Sequence, residues 1–252
     1  MPTEITTIIF SKNRAGQLEL LLRSLNLPVS VIYTYDPSFK SGYDKLITMY
    51  PKVNFVLETD FKSQIIECLE RSPEDYVLFL VDDDVMIKLF AEKNCPQFEE
   101  FKKNPEIICL SLRLAPYYEG APKMNDNIWN WQGLKHDWGY PMSVSAHIFR
   151  KKDILPIMTK GEFENPNDLE VLLRKNPPNK SLMVCVNQPN IINTPANVVQ
   201  TKYRLNRFGN AGISPEEMNE KFINGQRISL NDIIEKAKAS KACFLVTDFK
   251  YK

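Results

Sequence analysis

The chain has 252 residues, 43% of them hydrophobic and 25% charged, which excludes a disordered chain and fits one large α/β domain or one domain with a small appendage. Lys and Arg total 32 against 31 Asp and Glu, a formal net charge of +1, so nothing in the balance points to nucleic acid or an anionic membrane as the main partner. Five scattered cysteines without CxxC spacing argue against zinc ligation and a disulfide framework, and are expected to be reduced thiols in a cytoplasmic setting. No run approaches the ~20 apolar residues of a membrane span, and the opening MPTEITTIIF does not look like a signal peptide.

In chain order, Ile5 to Phe10 is β-branched and apolar, as in a buried strand. Leu18, Leu21, Leu22 and Leu25 then recur at helical spacing. VSVIYTYDP predicts a second strand ending at Asp36 and Pro37, and Tyr43 to Pro51 a short helix. A third strand is expected from Val53 to Asp60, a helix from Phe61 to Ser72, and a fourth strand over YVLFLV. Strands alternating with helices in this way predict a Rossmann-like, mostly parallel sheet with helices on its faces. Ligands in such sheets bind at the carboxyl ends of the strands.

Beyond residue 84 the pattern predicts a helix over Pro96 to Lys103, a strand over Ile107 to Leu112 and an aromatic-rich loop. A strand over MSVSAHIFR, helices over KKDILPIM and NPNDLEVLLRK, and a strand over SLMVCVNQP follow. Asn167 or Asp168 is the expected cap of the second of these helices. Two further helices, SPEEMNEKFING and SLNDIIEKAKAS, close the chain; Ser214 with Glu217 fits a capping box and Gly225 a helix end. The expected organisation is one domain over residues 1–190, with a small helical C-terminal extension over residues 191–252 packed on it.

The fourth strand runs into Asp82, Asp83 and Asp84. Three like charges at the end of a buried strand repel one another and resist desolvation. The bland alternative is a solvated turn; the alternative with chemistry is a cation. Oxygen-only ligands suit Mg²⁺ or Mn²⁺ together with phosphate oxygens. In an extended segment Asp82 and Asp84 share a side and Asp83 takes the other. Neither GxxxxGK[ST] nor a GxGxxG after the first strand is present, so a P-loop and a dinucleotide fingerprint are unsupported. A nucleotide diphosphate held through metal fits best.

Four stretches in order, TTIIFSKNRAGQLELLLRSL, YTYDP, VLFLVDDDVMI and SAHIFRKKDIL with NDLEVLLR, resemble glycosyltransferases of the GT-A fold, most similar to family 2. The resemblance covers about the first 175 residues and implies an enzyme moving a sugar from a UDP- or GDP-sugar to a carbohydrate or glycoconjugate acceptor. It implies Mn²⁺ or Mg²⁺ at Asp84 with help from Asp82, and Asp83 beside the donor. Asp36 falls where a family aspartate meets the nucleotide base. Asp168 falls on the general base of an inverting displacement and Glu170 on the later acid, while Asn167 replaces the family's Glu.

Arg14 and Lys62 lie at strand ends where a phosphate would be met, and each is equally a solvated surface cation; Ser11 is placed to contact the base or ribose. All three tryptophans lie between Trp129 and Trp138, so Trp138, with His136, Asp137 and Glu170, is the expected acceptor subsite. Their alternative is a packed loop covering the core. His147 is expected to line a pocket or the core. Lys202, Arg204 and Arg207 suggest a lid over the diphosphate or a solvated charge run. Two rivals remain, a sugar-nucleotide nucleotidyltransferase, which releases pyrophosphate, and a non-catalytic carbohydrate-binding protein.

Overall fold

A computed structural model describes residues 3–200 and 211–252. Lys202, Arg204 and Arg207 lie outside the described residues. The first half alternates strand and helix as expected. β1 (Ile5–Lys12), β2 (Ser30–Thr34), β3 (Asn54–Leu57) and β4 (Tyr76–Val81) are separated by α1 (Ala15–Ser24), α2 (Lys40–Met49) and α3 (Phe61–Arg71). Strands β1 and β4 are buried along nearly their whole length, which is why they read as continuous apolar runs rather than alternating ones. A 3₁₀ turn at Pro37–Phe39 leads into α2, so this helix begins ahead of the expected Tyr43.

The second half supplies α4 (Pro96–Lys103), β6 (Ile107–Ser111), β8 (His147–Arg150), α5 (Lys151–Lys160), α6 (Pro166–Lys175), β9 (Leu182–Cys185), α7 (Pro215–Ile223) and α8 (Leu230–Lys238). Three short strands were not expected: β5 (Asp84–Met86), β7 (Ile128–Asn130) and β10 (Ile191–Asn193). The main sheet has eight strands in the order β3-β2-β1-β4-β8-β6-β9-β7. Only β8 and β7 run against the rest. A second, two-stranded sheet pairs β5 with β10, setting Asn193 opposite Asp84.

The C-terminal stretch is not a separate layer. β10 opens it by pairing with β5, and α7 packs against α1 and α2. Ser214 caps α7 by accepting from Glu217 N, and Gly225 closes it with a positive φ, as the sequence suggested. One apolar cluster joins Leu20, Val85 and Ile192 to Met218, Ile233 and Ala237.

β1 pairs with β2 on one side and β4 on the other, both in parallel. The chain winds outward through β2 and β3, then returns to the far flank of β1. That reversal opens a crevice at the carboxyl ends of β1 and β4. The three aspartates follow β4 there.

Candidate active site

Asp82 N donates to Phe10 O at 3.1 Å, continuing the β1–β4 ladder by one residue. The chain then turns at Asp82 and Asp83 before β5 begins at Asp84. This turn breaks the expected alternation. Asp82 and Asp83 both line a cleft of about 920 Å³, whereas Asp84 is fully buried and does not.

Every carboxylate oxygen of the triplet has a donor. Asp82 accepts from Arg14 Nη1 at 2.9 Å and from Lys12 N at 3.1 Å. Asp83 accepts from Arg14 Nη1 at 3.3 Å and from Asn193 Nδ2 at 2.7 Å. Asp84 accepts from Val81 N at 3.0 Å, Ser145 Oγ at 2.8 Å and Asn193 Nδ2 at 3.2 Å. Asp84, the expected metal ligand, is thus set deeper than its two neighbours, its oxygens turned toward Val81, Ser145 and Asn193. Burial, and after it Asp83, pushes the Asp84 carboxyl up to about 7. Among the described residues, no group of three or more His, Cys, Asp or Glu side chains is placed to hold a metal ion.

Arg14 precedes α1 and is nearly enclosed. Its Nε donates to Asn197 Oδ1 at 2.8 Å and its Nη2 to Asn197 O. Burial works against the charge, but Asp82 and Asp83 outweigh it and hold Arg14 above its ordinary range. Ser11 also faces the cleft, its Oγ 2.7 Å from Tyr43 Oη.

Two expected donor-side residues lie elsewhere. Asp36 does not line the cleft; its Oδ2 accepts from Asn13 Nδ2 at 2.6 Å and its N donates to Asn13 Oδ1 at 2.8 Å. This pair holds Asn13 at a φ of 57°, where a non-glycine residue needs support. Lys62 points out of the cleft to Glu162, at 2.9 Å. The cleft takes Phe61 instead, together with Ile32, Thr34, Lys12 and Glu58. Glu58, at the end of β3, was missed; the rule that ligands meet strand ends was the available signal. Burial pushes its carboxyl up, with Lys12 opposing.

Beyond the acidic turn the cleft is lined by Arg113, His136, Asp137, Tyr140, Asn167, Glu170 and Arg174. Asp137 pairs with Arg113 at 3.0 Å. Glu170 accepts from Tyr140 Oη at 2.7 Å, Val144 N at 2.9 Å and Ser143 Oγ at 3.3 Å, tying residues 140–144 to α6. Trp138, expected in the acceptor subsite, is buried and does not line the cleft; its Nε1 donates to Glu119 O at 3.1 Å, and it packs edge-on against Trp129 with ring centres 5.3 Å apart. Trp129 and Trp131 likewise spend their indole N–H groups on backbone carbonyls. These rings cover the core, and Tyr140 is the aromatic side chain of this loop that lines the cleft. His147 is buried in β8, its Nδ1 3.1 Å from Pro141 O.

The cap of α6 is Asn165, two residues before the nearer of the expected candidates. Its Oδ1 accepts from Asp168 N at 3.0 Å, and its Nδ2 donates to Asp168 Oδ2 at 2.8 Å. Asn167, Glu170 and Arg174 share the helix face toward the cleft; Asp168 lies on the adjoining face and does not line it.

A smaller cavity of about 490 Å³ lies at the opposite ends of β1 and β2, beside Thr7 and Ser30. It has none of the acidic turn's chemistry.

No protein-family model matches the chain. Among curated proteins it is similar to the bifunctional glycosyltransferase pgtA of Dictyostelium discoideum. The two are 26% identical over 311 residues, covering 98% of this chain and 36% of that protein. The chain thus spans about a third of the length of the curated relative it matches. Among solved structures, S. aureus TarS in complex with UDP superposes with a TM-score of 0.50 at 15% identity, covering 77% of this chain and 61% of that one. The chain is thus similar in sequence to part of a glycosyltransferase, and in fold to TarS. A cytidylyltransferase from Leptospira borgpetersenii also aligns, at a TM-score of 0.39 and 10% identity over 69% of this chain and 71% of that one. Likeness at that level does not bear on the rival reading. No described helix is long and apolar enough to cross a membrane.

Proposed function

We propose that the chain transfers a sugar from a nucleotide-diphosphate donor to a hydroxyl acceptor, inverting the anomeric centre. The observation that carries this is the Asp82–Asp83 turn at the crevice between β1 and β4. It sits midway along a cleft running from Thr34, Glu58 and Phe61 to Asp137, Tyr140 and Glu170. In this reading the first end takes the base, the turn takes the diphosphate, and the far end takes the acceptor. UDP is the nucleotide to try first, because the TarS structure holds it.

The residues present fit a hard divalent cation brought in with the donor. Asp82 and Asp83 offer cleft-facing oxygens, and Mg²⁺ or Mn²⁺ is commonly held by one or two carboxylates plus phosphates. Charge argues the same way. The cleft is lined by Lys12, Arg14, Arg113 and Arg174 against six acidic residues, Glu58, Asp82, Asp83, Asp137, Glu164 and Glu170. A diphosphate adds more negative charge and needs a counter-cation. Such a cation, when bound, supplies Lewis-acid stabilisation of the leaving diphosphate.

Asp168 is the proposed general base. Asn165 orients its carboxylate, donating from Nδ2 to Asp168 Oδ2 at 2.8 Å. Catalytic contacts often tighten only once substrate is bound, so its place beside the cleft face does not disqualify it. Glu170 is given a positioning role, because its oxygens already fasten the acceptor loop.

Incubation with UDP- and GDP-sugars and a panel of sugar acceptors tests the proposal. Release of nucleoside diphosphate with a new glycoside supports it, and NMR of the product's anomeric carbon reads the stereochemistry. Release of pyrophosphate from a nucleotide triphosphate and a sugar phosphate would support the nucleotidyltransferase instead.

A further inference from the structure

We infer that Arg14 is the resident counter-ion of the Asp82–Asp83 turn, so that a divalent cation enters this site only together with a nucleotide diphosphate. The inference rests on the donor-site reading above and adds a binding order to it.

The guanidinium occupies the position between the two cleft-facing carboxylates. A single nitrogen, Nη1, serves both Asp82 at 2.9 Å and Asp83 at 3.3 Å. The Arg14 side chain is only 9% exposed, and Asn197 holds its other two nitrogens. Arg14 is thus part of a closed network joining the β1–α1 turn, the acidic turn and the segment after β10.

A bare divalent ion approaching the carboxylates meets this fixed positive charge at close range. To ligate both carboxylates it must displace Nη1, leaving a desolvated guanidinium without its partners, which is costly. A diphosphate changes the exchange. Its oxygens accept the released guanidinium N–H groups, for which a fork of donors is well suited. The same phosphates complete the coordination that two aspartates leave open. Metal and nucleotide therefore help each other to bind, and the coupling passes through Arg14.

The test is Mn²⁺ titration followed by electron paramagnetic resonance, with and without UDP, on wild-type protein and on Arg14→Met. Wild-type protein is expected to leave Mn²⁺ free when alone and to bind it at least ten-fold more tightly with UDP. Arg14→Met, which leaves the aspartate pair without its cation, is expected to bind Mn²⁺ without nucleotide at least ten-fold more tightly than wild type. UDP should then raise its Mn²⁺ affinity by a smaller factor. Equal Mn²⁺ affinity of the two proteins without UDP overturns the inference, as does a wild-type protein that binds Mn²⁺ equally with and without UDP. Should Arg14→Met fail to fold by circular dichroism, the wild-type coupling factor decides alone. A protein binding neither UDP nor GDP, with metal or without, would sink the donor-site reading and this inference with it. Nucleotide binding with no coupling to metal would sink this inference only.

Discussion

Tyr140 donates its phenolic hydroxyl to Glu170 Oε1 at 2.7 Å, bridging the loop before β8 to the cleft face of α6. Burial, and after it Glu170, raises the phenol's pKa, so the hydroxyl stays a donor across the working range. A hydrogen bond to a carboxylate contributes about 1.5–3 kcal/mol. Tyr140→Phe is accordingly expected to lower unfolding free energy by about that amount. It should also raise the acceptor KM while leaving UDP affinity in place. A larger loss of UDP affinity than of acceptor affinity would contradict the assignment of this wall to the acceptor.

The two acids of α6 are separable. Asp168→Asn is expected to retain UDP binding and lose transfer by roughly 10²–10⁴-fold in kcat, the usual contribution of a general base. Glu170→Gln is expected to act mainly on acceptor KM and stability. Normal turnover in Asp168→Asn, with collapse of kcat in Glu170→Gln, would hand the base's role to Glu170.

Glu58 and Asp36 make a similar pair at the donor end. Glu58 lines the cleft, and no hydrogen bond or ion pair within 4.0 Å engages its side chain among the described contacts, whereas Asp36 braces Asn13. Uracil N3 carries a proton to donate, whereas cytosine N3 is an acceptor and would repel a carboxylate. Glu58→Gln is expected to weaken UDP by about ten-fold, the equivalent of one hydrogen bond to a charged group, and to affect CDP less. Equal weakening of both nucleotides would argue that Glu58 does not read the base. Asp36→Asn should lower stability through the turn at Asn13 and leave the UDP-to-CDP ratio unchanged.

Asp84 gives stability a pH signature. Its folded value of about 7 stands above an ordinary 3.8, so the folded chain holds the proton more firmly than the unfolded one. That contribution is complete below about pH 4 and is lost as pH rises through about 7. In Asp84→Asn the titration is gone. Unfolding free energy relative to wild type is expected to shift in the variant's favour by about 2–4 kcal/mol between pH 4 and pH 8. His147, held down to about 3 chiefly by burial, tilts the profile the opposite way below its ordinary 6.5, and the difference between the two proteins cancels it. Urea titrations across this range check the slope. A pH-independent difference would mean that Asp84 stays charged in the fold.

Gly42 sets the docking of α7 on α2. A Cβ there would overlap Asn219 Oδ1 of α7 and come within 3.1 Å of Ala15 Cβ. Gly42→Ala is expected to lower stability by about 1–3 kcal/mol through overpacking, against the roughly 1 kcal/mol that alanine favours in an open helix. A stabilised variant would show that α7 does not press on α2.

The elements that could be read from the sequence are those with long, consistent periodicity. β1 to β4 and α1 to α3 each declare themselves within their own residues. β5, β7 and β10 have three residues each and exist through pairing with distant partners; β5 finds β10 more than a hundred residues later. No local signal encodes that pairing, and it is what turns Asp84 inward. Trp138 misled for a related reason. Its polar neighbours suggested a sugar platform, but a backbone carbonyl at Glu119 satisfies its indole and lets the ring enter the core. Asp36 lay at a strand end, yet Asn13, needing support for its left-handed backbone, claimed it first. Arg14 was legible as a cation near the strand ends, but its attachment to both aspartates required the folded turn.

The central claim is that the Asp82–Asp83 turn receives a metal-bound nucleotide diphosphate. Calorimetry of UDP binding, with Mn²⁺ and then with chelator, tests it most directly. The account predicts saturable UDP binding with Mn²⁺ that chelator abolishes, and that Asp83→Ala loses. UDP binding of equal strength with and without Mn²⁺, or no binding of UDP or GDP in either condition, would contradict it.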